Sequence, residues 1–250
     1  MADKILYRYI VPGKEGEVQL GIYGACVKIA MIMAMITQAF RYAYEPIVFS
    51  NGKDEKSKED QAVVMKYFVI ATMMAFLAVM MYLDLFKYVI NKDYWEGLKV
   101  IPIAMMAEVF MGIYFNLSFW YKLTDDTKWG AIFSGIGCAV LVAINFIFVP
   151  KYGYMACAWG GFAGYGICML LSYHVGQKRY FVPYEVGRIL LYMVIAVALY
   201  FISTLTQTSN MVVNLIINTL YLIAFMVIAY YMDIKKVFNI KTFLITRLKH

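Results

Sequence analysis

Residues 62–90, AVVMKYFVIATMMAFLAVMMYLDLFKYVI, carry only Lys66, Asp84 and Lys87 as charged side chains. At 1.5 Å per helical residue, such a run covers the roughly 30 Å of hydrocarbon in a bilayer with residues to spare. Its apolar positions are continuous, whereas a membrane β-barrel strand alternates apolar and polar over about ten residues. Similar blocks recur at 20–49, 98–121, 129–149, 154–175, 186–206 and 211–232, each bounded by charged, Pro- or Gly-containing segments. The expected fold is therefore all-α: a polytopic membrane bundle of about seven transmembrane helices.

Composition points the same way. With 63% hydrophobic and 16% charged residues among 250, too little polar surface is left for a domain solvated by water. Met1–Leu20 contains Asp3, Glu15 and Glu17 and lacks a central apolar run, so it does not read as a cleavable signal peptide. Cys26, Cys138, Cys157 and Cys168 fall inside predicted helices at spacings that fit no metal motif, which makes them packing residues rather than disulfides or zinc ligands. His174 and His250 are far apart, and no Ser-nucleophile motif or phosphate loop is present, so neither an enzyme nor a cofactor is expected.

If successive spans alternate in direction, one side collects fourteen cations: Lys53, Lys56, Lys58, Lys66, Lys122, Lys128, Lys178, Arg179, Arg188, Lys235, Lys236, Lys241, Arg247 and Lys249. The other side collects seven: Lys4, Arg8, Lys14, Lys87, Lys92, Lys99 and Lys151, while Lys28 and Arg41 lie within a helix. Positive loops stay in the cytoplasm, so the first side is expected there together with the C-terminus. The net charge of +7 is spread over membrane-flanking loops with no soluble domain to present it, which argues against a nucleic-acid partner.

Polar groups at membrane depth need compensation, because a charge near the bilayer centre costs at least about 2.5 kcal/mol. Gln38, Arg41 and Glu45 share one stripe of the first helix, with Lys28 nearer its other end. Two readings stay open. In one, Arg41 and Glu45 form an i,i+4 ion pair near the cytoplasmic end; in the other, Arg41 and Lys28 line a polar cavity and attract an anionic group such as a diphosphate. Glu108, Gly112 and Asn116 recur at four-residue spacing in the third span, as an interhelical hydrogen-bond seam, a cavity wall or a proton-coupling carboxylate. Ser134, Cys138 and Asn145 form a weaker stripe in the fourth span; Ala156, Gly160 and Gly164 in the fifth permit close helix contact. Asp84 and Lys87 read as an interfacial pair.

Gln38-Ala39-Phe40-Arg41-Tyr42-Ala43-Tyr44-Glu45-Pro46 resembles the signature that closes a helix in bacterial polysaccharide-biosynthesis flippases. A second resemblance runs from Tyr121 through Thr124-Asp125-Asp126-Thr127-Lys128-Trp129-Gly130-Ala131, then Asn145, Val149–Tyr154 and Ala158-Trp159, in the order that family has. The resemblance covers residues 3 to about 184 and implies the oligosaccharide branch of the multidrug/oligosaccharidyl-lipid/polysaccharide exporter superfamily. Members have about fourteen helices in two lobes, and seven spans correspond to the second half. Met1–Tyr9 is similar to the outer end of the family's seventh helix, which makes the chain read as a fragment or half-transporter completed by a missing N-terminal lobe or a second copy.

The implied division is 1–19, the external end of a truncated helix plus a loop; 20–175, five helices of the C-terminal lobe; 176–232, a terminal helix pair; and 233–250, a basic cytoplasmic tail. The implied cargo is an undecaprenyl-diphosphate-linked oligosaccharide in the bacterial inner membrane, its lipid tail remaining among membrane lipids. The candidate substrate-binding residues are Arg41, Lys28, Glu45, Gln38, Glu108 and Asn116. A drug/cation antiporter of the same superfamily and a membrane enzyme of polysaccharide synthesis are the competing readings.

Overall fold

The computed structural model describes residues 2–51, 54–208 and 210–234, and among them it contains helices and no strands. Met1, Lys53 and the expected basic tail from residue 235 onward lie outside the described residues. The helices are α1 (Ala2–Ile10), α2 (Lys14–Asn51), α3 (Glu55–Met81), α4 (Leu83–Phe86), α5 (Ile101–Leu117), α6 (Phe119–Leu123), α7 (Lys128–Tyr152), α8 (Tyr154–Arg179), α9 (Val186–Leu205) and α10 (Met211–Ala229). Seven helical segments are long and apolar enough to span a membrane: Lys14–Ser50, Glu55–Met81, Lys92–Leu123, Lys128–Tyr152, Tyr154–Arg179, Val186–Leu205 and Met211–Asp233.

Several boundaries differ from the reading of the sequence, and two of them have a clear local cause. The first span begins at Lys14 rather than near Leu20, because Glu15 and Glu17 occupy the first turn of α2, where carboxylates complement the positive end of the helix dipole. The second span stops at Met81 rather than Ile90. Beyond it the chain breaks into α4 and a turn of tighter helix at Lys87–Val89, pinned by the Lys87 Nζ–Asp84 Oδ1 pair at 2.5 Å and by Trp95, whose indole donates to the Lys87 carbonyl at 3.0 Å. The apolar letters of 83–90 thus belong to a surface hairpin.

The bundle is built around α3, 61% of whose most apolar window is buried, and α5. One core joins α2, α3, α5, α9 and α10 through Met33, Phe68, Met73, Phe76, Met105, Tyr192 and Phe225. The closest pair of helices is α7 and α8. A Cβ added at Gly164 would stand 2.9 Å from the Gly137 carbonyl oxygen, so bare backbone lets these two approach, and Asn145 lies fully buried against Gly160 in the same seam. The turn between them needs Gly153, at φ +56°, where a side chain would also strike Gln19 at 2.8 Å.

The spans alternate in direction. One end gathers Lys122 with Glu45, Arg179 with Asp126, and Lys66 with Glu185 and Asp233. The other gathers Asp84 with Lys87, Arg8 with Glu17, and Tyr7, which donates to Gln19. Tyr7 is fully buried against α7 and α8, and that burial pushes its phenol up to about 12.

Candidate functional site: a cationic crevice between α2 and α5

Arg41 sits one turn before Glu45, the end of α2's polar stripe, with its guanidinium 4.8 Å from the Phe115 ring of α5 and 5.3 Å from the Tyr42 ring. It lines a crevice with Thr37, Phe40, Gly112, Phe115, Asn116 and Phe119. The crevice has no room for a water molecule, so a ligand would meet these groups from the open side, where 27% of the Arg41 side chain remains exposed. Gly112 closes the floor: a Cβ there would come within 2.4 Å of Phe68 and 3.0 Å of Thr37, which is why α2, α3 and α5 can converge at this point.

Glu45 has two cationic partners, and they are unequal. Lys122 Nζ lies 2.6 Å from Glu45 Oε1, whereas Arg41 Nε lies 3.8 Å from Oε2. Arg41 Nε and Thr37 Oγ1 are both buried atoms without a hydrogen-bond partner among the described residues. Gln38 Oε1 is in the same condition one residue away. The carboxylate is thus satisfied chiefly by Lys122, and Arg41 keeps directional hydrogen bonds to offer.

A family model, MatE, matches residues 5–147, more than half of the chain. This chain belongs to the MatE family. Its members are membrane transporters rather than enzymes, and this MatE chain is a multi-pass membrane protein. No curated protein and no solved structure matches it.

The crevice brings together some of the residues expected from the sequence and leaves others apart. Arg41 and Asn116 line it, and Glu45 closes its charge at one edge. Gly112 serves as backbone, its carbonyl accepting from Asn116 Nδ2 at 3.1 Å. Glu108, one turn earlier on α5, is half-buried and does not line the crevice. Lys28 is exposed and lines a separate hollow with Phe86, Ile90 and Tyr94 toward the other end, so the structure does not place it with Arg41. Ser134 and Cys138 are exposed, the Ser134 hydroxyl lying 3.4 Å from that of Tyr114 on α5, while Asn145 alone of that stripe is buried. Trp120 is buried, its indole donating to Ser172 at 3.3 Å.

The MatE chain also has functional groups that inspection of single helices missed. Lys122 was counted only as a loop charge, because its partner Glu45 is 77 residues away and no spacing rule links them. Its helix α6 is positioned by the loop that follows. Asp125 adopts φ +59°, the Asp126 amide donates to the Tyr121 carbonyl at 2.9 Å, and the Asp126 carboxylate is held by Lys128, Trp129 and Arg179. The Lys128 hydrogen bond, followed by Trp129 and Arg179, keeps Asp126 below the usual carboxylate range. The resemblance at 121–131 therefore corresponds to a turn that presents Lys122 to α2.

Proposed function

We propose that this MatE chain supplies one wall of a flippase that moves a lipid-linked oligosaccharide, carried on a polyprenyl diphosphate, across the bacterial inner membrane, with the C-terminus on the cytoplasmic side. The observation that carries this reading is the unequal sharing of Glu45. Because Lys122 neutralises Glu45 at 2.6 Å, the carboxylate at the edge of the crevice is already spent, and Arg41 Nε is left without a hydrogen-bond partner beside Thr37 and Asn116. A guanidinium held on an aromatic face with free N–H groups suits a diphosphate, which it can bind through two parallel hydrogen bonds. A cationic drug would be repelled by the same arrangement. The local resemblance of Gln38–Pro46 to polysaccharide flippases supports the same cargo. A drug/cation antiporter of the same family remains the alternative, and Glu108 is the carboxylate it would use.

The test is export of lipid-linked glycan from cells carrying chromosomal Arg41 variants, normalised to the amount of protein in the membrane. Arg41→Ala should lower export about tenfold or more, the loss expected when a hydrogen bond to a charged group worth about 1.5–3 kcal/mol disappears. Arg41→Lys should fall between, keeping charge and losing the fork. Arg41→Met combined with Glu45→Gln removes both charges; if Arg41 holds the cargo this double variant stays inactive at normal abundance. Export by the double variant at the level of the unmodified protein would contradict the reading and leave Arg41 as a counter-ion only.

A further inference from the structure

The last two spans are attached to the bundle in an unusual way. Helices α9 and α10 pack on α3, yet α9 barely touches α8, although the two are joined by only the segment 180–185. Between α8 and α9 lies an apolar cavity of about 200 Å³, lined by Met65, Ile113, Met169, Tyr173, Ile189 and Met193 among others. At the far end of the pair, neutral hydrogen bonds fasten it to α3: Asn218 Nδ2 donates to the Met81 carbonyl at 2.6 Å, and the Tyr82 and Thr219 hydroxyls lie 2.7 Å apart.

The near end is fastened by charge. Lys66 of α3 reaches Glu185 at 2.6 Å and Asp233, just beyond α10, at 3.1 Å. Arg188 of α9 reaches Glu185 at 3.0 Å and also pairs with Asp233, to which the Tyr192 hydroxyl donates at 2.6 Å. Lys66 and Asp233 are buried, with 8% and 3% of their side chains exposed, while Arg188 and Glu185 stay in reach of water at 36% and 43%. Two cations face two carboxylates, so the set is internally balanced and leaves no charge over for a ligand.

Balanced buried ions are a poor way to gain stability, since well-packed apolar side chains would do as well or better. They are a good way to make a contact that is either complete or broken. A second observation agrees: α10 ends in a wide π turn at Tyr230–Ile234, a rare local geometry, and it is this turn that carries Asp233 into the cluster.

We propose that Lys66, Glu185, Arg188 and Asp233 form a charge lock that holds the terminal helix pair on α3. When the lock opens, α9 and α10 swing away from α8 and widen a sideways entrance from the membrane into the apolar cavity. The water-facing half, Glu185 and Arg188, is where competition from outside begins; the buried half, Lys66 and Asp233, is what must separate for the pair to move.

Spin labels at His174→Cys on α8 and Leu191→Cys on α9, in a Cys138→Ala background, measure the width of the gap in lipid nanodiscs. Both positions are exposed and each lies six residues from the connecting segment. The unmodified lock should give one narrow distance distribution. Asp233→Asn should add a second, longer distance. Because that change strands Lys66 and can reduce insertion, the decisive variant is Lys66→Met with Asp233→Asn, which leaves Glu185 and Arg188 paired and no buried charge alone. A second, longer distance in the double variant supports the lock. An unchanged single distance in the double variant overturns it, because the pair would then be held without these charges.

Discussion

Arg41 and Lys122 divide one carboxylate between them, and the division decides what each can do. Lys122 lies outside the crevice, so a role confined to ligand contact gives it no importance. As the closer partner of Glu45, however, it sets Arg41 free. Lys122→Met should therefore lower glycan export several-fold although the crevice is intact, because Glu45 then turns fully to Arg41; adding Glu45→Gln should restore much of the loss. Export normalised to abundance checks both steps, and equal activity of Lys122→Met and the unmodified protein would contradict the unequal sharing. The sequence made half of this legible. Arg41 and Glu45 are four apart on one helix, and the 3.8 Å pair follows from that spacing. Lys122 was not legible, since only the tertiary convergence of α2 and α6 joins it to Glu45. Lys28 stands apart from Arg41 for a related reason: sharing a helix says nothing about which neighbours cover the intervening turns.

Among elements, the α7–α8 seam and the turn before it are the most specific. Gly164→Ala should cost about 1–3 kcal/mol, because its new Cβ meets the Gly137 carbonyl at 2.9 Å and backbone cannot move aside cheaply. Gly161→Ala has nothing within 4 Å and should be neutral or slightly stabilising. Unfolding of the purified protein in mixed detergent micelles separates the two, and equal stability of both variants would show that the seam is looser than described. The Ala156, Gly160 and Gly164 spacing revealed this contact in advance, because small residues at four-residue intervals have few other uses in a membrane.

The turn at Asp126 predicts a pH effect of defined sign. A carboxyl held below its ordinary value of 3.8 stabilises the folded turn above that pH, and the contribution is lost as pH falls through the lower folded value. Trp129 fluorescence should therefore be flat from neutral pH down to about 4, where a carboxyl of ordinary pKa is already close to half protonated, and change only below it. A transition near neutrality would contradict the assignment. The hairpin after Met81 shows where reading failed: apolar content alone does not distinguish the end of a span from a segment lying at its surface.

At the scale of the whole molecule, the all-α class and the seven spans were legible because length and continuous apolarity leave few alternatives in lipid. Direction rests on the cation asymmetry. Single-cysteine probes at Lys56 and Lys178 should react with impermeant reagent only from the cytoplasm, and a probe at Asn91 only from outside; the opposite pattern would invert the orientation and move Arg41 to the outer end of its helix. The nature of the cargo was not legible from span architecture, since transporters of oppositely charged substrates share it. On the proposed reading it depends on a handful of charges around Arg41.

That dependence gives the most direct test of the central claim. In a strain whose only copy carries Arg41→Ala at normal abundance, the amount of lipid-linked oligosaccharide reaching the outer leaflet should fall about tenfold or more and accumulate on the cytoplasmic side, while resistance to cationic drugs stays unchanged. Loss of drug resistance with undiminished delivery of lipid-linked oligosaccharide would contradict the account.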